Sequence, residues 1–512
     1  MTRRGFQRIQ NFFLLHPRSE DFLVAFLFAT MVCFLTSCSL SPLYPLNNYD
    51  YMNVDSNLFR YEASLWLAGR TPYLDFYDHK GLYHVAVDAL GLLIGGGSRY
   101  GIFALEILVS CLNLYFLARS VRLIEGNDWR YRLFADLFYG LLFAILAQGN
   151  SEGEWILPFT TLFVYFYLRG LVLERPSSFV WGSFFMGLSV GLALNSRPLD
   201  AIWGGMGAVY YVVQYARKKS KISALFANMG IAILGCLIPF AIIYPLAVQG
   251  GYLNTMFDAI FVTSSHYWVR HWSEFNGYAF TNRLLCVLAF VYALLGLREF
   301  RKKKFSGLAY DLGEYFLVMA LGASVLYFFV AGYFHYFQSG FTFVILAFEY
   351  SLRLFPLKAE HQEKCRKRIS LFMGVAITTF SCLYLIGYYT VGFFDFSYAH
   401  SEMILTSLEE NVPDSAWQEG KVFAIDCDPS VYLDGNTVVQ ERYCAFTYWW
   451  NQDNSSVAKE VQEYLLSEKH PDYLLVGNAD AALDHDYDAI IAAHYETLVA
   501  ENSAFRIYRY VS

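Results

Sequence analysis

Residues 223–247 read SALFANMGIAILGCLIPFAIIYPLA. The run holds no Asp, Glu, Lys or Arg. A helix needs roughly 20 apolar residues to cross a bilayer core, and this stretch is long enough. Its apolar residues cover every face of such a helix, so no side is reserved for water. Composition carries the same message across the whole chain. Of 512 residues, 56% are hydrophobic, 19% aromatic and only 16% charged. Soluble domains run to about 25% charged. A water-soluble multidomain protein is excluded, and the net charge of −7 excludes a basic nucleic-acid binder. The nine cysteines form no CxxC pair and no Cys/His ligand spacing, which argues against a zinc scaffold.

The same window finds further candidate spans at 21–40, 99–118, 133–149, 155–172, 178–194, 198–216, 279–297, 312–332, 337–354 and 369–393. With 223–247 this makes about eleven. Lys and Arg test the threading. They gather at the N-terminus (Arg3, Arg4, Arg8, Arg18) and in alternate loops: Arg119–Arg132, Arg169 and Arg175, Arg217–Lys221, Arg298–Lys304 and Arg353–Arg368. The positive-inside rule puts that set in the cytoplasm. An eleven-span count then predicts a cytoplasmic N-terminus and an external segment after residue 394. Residues 35–38, Leu-Thr-Ser-Cys, loosely match a lipoprotein cleavage box, but they lie far from the charged n-region, so an uncut anchor is expected.

Composition changes near residue 395. Stretches 421–426, 473–477 and 505–511 read as short buried strands, and 455–469 as a helix with Val457, Val461, Tyr464 and Leu465 on one stripe, capped by Asn454 or Ser455. The expectation is an all-α polytopic membrane domain over 1–394, with a small external α/β domain over 395–512. Cys427 and Cys444 both fall in the latter, where they could pair.

Polar residues gather in the loops expected outside. The longest, 41–98, holds Asp50, Asp55, Glu62, Asp75, Asp78, His79 and Lys80. Leu58, Tyr61, Leu65 and Ala68 form one helical stripe, expected to lie along the interface, and Gly69-Arg70-Thr71-Pro72 ends it. A second short apolar helix runs to about residue 94. Other external ends carry Glu152 and Glu154, Arg197 beside Pro198, His266 to Trp272, and His335-Tyr336. Charges at helix ends, with few inside the spans, favour a site at the membrane surface over a path through it. Each residue has a plainer reading as well. Asp55 could cap its helix, Lys80 could snorkel to headgroups, and Arg197 could cap a span. Glu152 could be loop solvation, and His335 and Tyr336 an interface belt.

The string Asp55-Ser56-Asn57-Leu58-Phe59, Gly69-Arg70-Thr71-Pro72-Tyr73 and Asp75-Phe76-Tyr77-Asp78-His79-Lys80-Gly81 resembles the first external loop of bacterial GT-C glycosyltransferases. These are relatives of the protein O-mannosyltransferases and the lipid A aminoarabinose transferase. The resemblance covers about residues 15–395, and the C-terminal segment is similar to the tail many members carry. It implies a GT-C type fold, a polyprenyl-phosphate sugar donor and inverting hexosyl transfer at the outer leaflet. It implies Asp55 as the general base and Lys80 as the holder of the donor phosphate. Two departures stand out: Ser56 follows Asp55 where mannosyltransferases of the group carry Asp-Glu, and His79-Lys80-Gly81-Leu82 replaces the Lys-Pro of the aminoarabinose branch.

Physical chemistry reaches similar roles. A lipid phosphate presents its charge at headgroup level, where Lys80 and Arg197 are the best-placed cations. Inversion needs one base opposite the leaving phosphate; Asp55 fits, with Asp78, Glu152 or Asp50 as substitutes. Asp75, Asp78, His79, Arg197, Glu152, His335 and Tyr336 complete the candidate substrate-binding set. Asp75 and Asp78 could take a divalent cation with the phosphate, or be satisfied by His79 and Lys80, so no metal ligand is assigned. The acceptor, whether a cell-envelope glycan, a lipid or a protein, is not legible. Competing readings are a flippase of lipid-linked sugars, which should show internal repeats and broken helices, and a polysaccharide polymerase or ligase, which usually carries its large loop late in the chain.

Overall fold

The computed structural model describes residues 17–37, 40–42, 54–143, 149–217, 221–266, 308–330, 334–351, 408–425, 429–434, 437–444, 456–477, 485–499 and 505–511, with isolated positions between. The expected span 369–393, most of 279–297, Asp50, Trp268 to Trp272 and the cap at 454–455 lie outside the described residues.

In chain order the longer helices are α1 (Pro17–Thr36), α2 (Val54–Leu67), α3 (Leu82–Ile94), α4 (Tyr100–Glu125), α5 (Trp129–Leu142), α6 (Glu152–Leu173), α7 (Pro176–Leu194), α8 (Ile202–Ala216), α9 (Ile222–Gln249), α10 (Leu308–Val330), α11 (Phe341–Ser351), α12 (Ser456–Leu465) and α13 (His485–His494). Among the described residues six helices are long and apolar enough to cross a membrane, at Arg18–Thr36, Tyr100–Glu125, Glu152–Leu173, Pro176–Leu194, Ile222–Gln249 and Asp311–Phe329. The chain is a multi-pass membrane protein. Within α9 only 22% of the most apolar window is buried by protein, and Phe226, Leu234 and Leu237 stand exposed. Such a surface is stable in lipid and not in water. The expected spans at 133–149, 198–216 and 337–354 fall on shorter helices. Two of these open with a 3-10 turn, Pro198–Ala201 before α8 and Phe334–Gly340 before α11.

The chain forms two compact units. The first comprises 1–37, 103–241 and 271–383. Small residues set its helix spacing. A Cβ on Gly187 or Gly191 of α7 would collide with the backbone carbonyl of Ala232 or Cys236 on α9, and one on Gly235 with the Phe184 carbonyl. This small-xxx-small contact lets two backbones touch where the lipid-solvated state offers no hydrophobic gain. An aromatic cluster fills the space beside it: Tyr167 stacks on Tyr315 at 4.7 Å, and Trp203 on Phe343 at 5.4 Å. At one end, fully buried Asp21 of α1 pairs with Arg122 of α4 at 2.8 Å and Arg132 of α5 at 2.6 Å.

The second unit comprises 38–102, 242–270 and 384–512. Its sheet has strands β1 (Val422–Ile425), β2 (Tyr473–Gly477), β3 (Tyr495–Val499) and β4 (Phe505–Tyr510), in the order β1-β2-β4-β3. β1 and β2 run parallel, with α12 in the connection, and the other pairs are antiparallel. Val422, Phe423, Ala424 and Ile425 are all buried, as a parallel strand covered on both faces requires. The expected strands and helix form with small shifts at their ends. β3 was not foreseen: it follows α13 with no Gly or Pro between them, so no local break announces it. Cys427 and Cys444 form no disulfide with each other.

The loop helices α2 and α3 belong to this same unit. The expected stripe of α2 is buried at Leu58, Tyr61 and Leu65, and so are Phe59 and Ala63 around its circumference. Tyr61 carries the join to the C-terminal segment. Its hydroxyl donates to the Thr437 carbonyl at 3.1 Å and accepts the Val439 N–H at 3.1 Å, while its ring stacks on Tyr432 at 4.9 Å.

Candidate functional site

Asp55 stands in the first turn of α2, where unpaired peptide N–H groups favour a carboxylate. Gly69, at φ +86°, ends α2 in the left-handed region, and the Arg70 N–H returns to the Leu65 carbonyl at 3.0 Å. The following loop is tied at several points. The Thr71 N–H donates to Asp75 Oδ2 at 2.7 Å, the Tyr73 hydroxyl to the Lys80 carbonyl at 2.7 Å, and Ser264 Oγ to the His79 carbonyl at 3.0 Å. Tyr73 itself sits at φ +62°, a left-handed conformation that a bulky residue keeps only under restraint. The restraint comes from the sheet unit. Arg442 Nη1 donates to the Tyr73 carbonyl at 3.0 Å, the Tyr77 N–H donates to the Arg442 carbonyl at 3.0 Å, and the guanidinium pairs with both oxygens of Glu460 at 2.9 and 2.7 Å.

This loop brings the charged residues to one place. Lys80 Nζ lies 3.4 Å from Asp55 Oδ1, 3.9 Å from Asp78 Oδ2 and 4.7 Å from the Phe59 ring centroid. Asp55 is 37% exposed and Lys80 11%, so the carboxylate is the open member of the pair. Asp78 is buried, with His79 Nδ1 at 3.0 Å from Oδ1. Burial pushes the Asp78 carboxyl up, but Lys80 and His79 outweigh it and hold it well below the usual carboxylate range. Asp75 does not join this group; its carboxylate closes the turn on Thr71. Two residues to which sequence reasoning gave no role do join it: Glu62, two turns of α2 on from Asp55, and His84 in the first turn of α3. The signal was available as the seven-residue spacing of Asp55 and Glu62, which places both on one side of a helix.

The remaining candidates gather in the first unit. Arg197 is buried, and its Nε and Nη2 meet the two oxygens of Asp200 at 2.9 and 3.2 Å. Nη1 lies 3.5 Å from Glu152, and the guanidinium sits 4.6 Å from the Tyr336 ring centroid. Ser339 Oγ donates to Asp200 Oδ1 at 2.6 Å. Asp200 is the partner the sequence reading lacked. Two carboxylates around one guanidinium leave Arg197 more than neutralised within its own unit. The side chain of His335 lies outside the described residues. Deeper in the same unit, Glu106 accepts from Ser37 Oγ at 2.6 Å and from the Asn150 N–H at 3.2 Å.

No protein-family model and no curated protein matches the chain. Solved structures do. ArnT from Cupriavidus metallidurans in the apo state superposes with a TM-score of 0.53 at 13% identity, over 96% of this chain and 98% of that one. The fold is that of ArnT. The same protein bound to undecaprenyl phosphate gives a TM-score of 0.52 at 13% identity, over 96% of this chain and 97% of that one. The Archaeoglobus fulgidus oligosaccharyltransferase gives 0.37 at 12% identity, over 96% and 74%. The ArnT likeness runs through both units, so the sheet unit shares in it as well as the helices.

Proposed function

We propose that this protein is a membrane glycosyltransferase of the GT-C type that moves a sugar from a polyprenyl-phosphate donor to an acceptor hydroxyl. One observation carries the reading. Asp55 and Lys80, an open carboxylate and a shielded ammonium from distant positions in the loop, lie 3.4 Å apart in a chain with the fold of a protein crystallised with undecaprenyl phosphate. In the proposed step the acceptor oxygen bonds to the anomeric carbon as the bond from that carbon to the donor phosphate oxygen breaks. The electron pair leaves on the phosphate, which Lys80 neutralises, and the hydroxyl proton passes to Asp55. Phosphate leaves readily, so one base on the opposite face suffices, and a single displacement inverts the anomeric centre. The reading also puts the loop and the sheet unit outside the cytoplasm and the N-terminus inside.

The test is transfer from synthetic polyprenyl-phosphate sugars by the purified, lipid-reconstituted protein, with Asp55→Asn and Lys80→Ala beside wild type. Loss of a positioned general base removes about 100- to 10,000-fold of the rate. Asp55→Asn should therefore abolish detectable transfer while donor binding persists, and Lys80→Ala should weaken donor binding. Protein-dependent movement of labelled lipid across the bilayer, unaffected by Asp55→Asn and without turnover of any donor, would sink the proposal.

A further inference from the structure

Glu62 of α2, Asp78 of the tied loop and His84 of α3 converge inside the second unit. One ligand atom from each lies within 4.8 Å of the other two, and all three residues are buried. His84 Nε2 stands 4.0 Å from Asp78 Oδ2. Glu62 makes this group unusual. It is 1% exposed, and among the described residues neither of its carboxylate oxygens accepts a hydrogen bond. A buried carboxylate without hydrogen bonds costs several kcal/mol if ionised and uncompensated. Among the described residues Glu62 is in no ion pair, while Lys80 pairs with Asp55 and Asp78.

We infer that Glu62, Asp78 and His84 form a binding site for one divalent transition-metal ion. Two carboxylate oxygens and one imidazole nitrogen are a donor set for a borderline ion; the nitrogen disfavours Mg2+ and Ca2+, which take oxygen. Three protein ligands are the number that leaves a fourth tetrahedral position for water. The gap among the ligand atoms exceeds that of a formed site, so binding would draw all three side chains inward. The ion would tie α2, the loop carrying Lys80 and α3 together, and its two charges would balance the two buried carboxylates. The site involves Asp78, whose second neighbour is Lys80, so the ion would also hold the loop that the proposed phosphate contact depends on.

Zn2+ is the probe, because it binds N/O sites at least as tightly as Mn2+ or Fe2+. The full-length protein in lipid nanodiscs is stripped with a chelator, titrated with Zn2+ alone and freed of excess by gel filtration. Metal is then counted by mass spectrometry. The expected result is one ion per chain, with Zn–N and Zn–O but no Zn–S ligation by X-ray absorption. Glu62→Gln and His84→Gln should each lower affinity by more than about tenfold, and Asp472→Asn, at an exposed carboxylate of the same unit, should leave it unchanged. Zn2+ should raise the thermal midpoint of wild type and not of either variant. Failure of the wild-type protein to retain an ion, sulfur in its coordination shell, or equal retention by well-folded Glu62→Gln and His84→Gln would each overturn the inference. The absorption spectrum of wild type decides the matter even if a variant fails to fold. Metal content is read without any transfer reaction, so the result stands apart from the proposed glycosyl transfer.

Discussion

Arg442 should be the residue through which the sheet unit sets the shape of the Asp78–Lys80 loop. In Arg442→Ala the peptide contact from the Tyr77 N–H to the backbone of residue 442 remains, but the side-chain contacts go. The charged hydrogen bond to the Tyr73 carbonyl, at 3.0 Å, is worth about 1.5–3 kcal/mol. The Glu460 pair has good bidentate geometry, yet Glu460 is 35% exposed and its side of the pair is screened, so it adds about 1 kcal/mol at most. The sum, about 1.5–4 kcal/mol, is what restrains Tyr73 at φ +62°. Amide hydrogen exchange read by mass spectrometry over residues 71–80 measures it directly. Local opening should rise by about 10- to 1,000-fold in Arg442→Ala, since each 1.4 kcal/mol is a factor of ten. Arg442→Lys should fall between, because one ammonium cannot serve the carbonyl and both Glu460 oxygens. Glu460→Gln should change exchange less than tenfold. If Arg442→Ala leaves exchange in this loop at the wild-type level, the clamp is a packing coincidence and the reasoning fails.

Other consequences follow from the same structure. Gly187→Ala should lower thermal stability in detergent by about 1–3 kcal/mol, because its Cβ meets the Ala232 carbonyl. Gly205→Ala, with nothing within 4 Å of the new atom, should stay within about 0.5 kcal/mol of wild type. Arg197→Met should cost about 3–5 kcal/mol by stranding Asp200 and Glu152, and Arg197→Met with Asp200→Asn should recover part of it in a double-mutant cycle. Burial raises the Glu441 carboxyl above its usual range. The folded state therefore holds that proton more tightly than the unfolded one. This contribution to stability is full below the unfolded carboxyl pKa and is lost as pH rises through the folded one. Glu441→Gln should flatten that slope in a pH series of thermal unfolding.

Much of the fold could be read in advance because its causes are local. Membrane crossing depends on length and apolarity within one segment, so α1, α4, α6, α7, α9 and α10 are found where apolar runs stand. The glycine that ends α2 and the buried strands at 422–425 and 473–477 are similarly announced by neighbouring residues. β3 was silent because its pattern is that of an edge strand, paired among the described residues with β4 alone.

The site divides along the same line. The stretch from Asp55 to Gly81, through its resemblance to GT-C first loops, marked Asp55, Asp75, Asp78, His79 and Lys80 as candidates, and the last four lie within six residues of one another. Sequence could not say that Asp75 would spend its carboxylate on Thr71, or that Arg197 would meet Asp200 and Glu152 inside its own unit. Nor could it bring Glu62 and His84 to Asp78, or the Arg442 clamp to Tyr73. Apolar length and turn chemistry are properties of neighbours along the chain, and they determine where this protein is helical and that it lives in a membrane. Which charges meet, and which are left buried without a hydrogen bond, depends on segments far apart in sequence arriving at one point, and only the tertiary structure decides that.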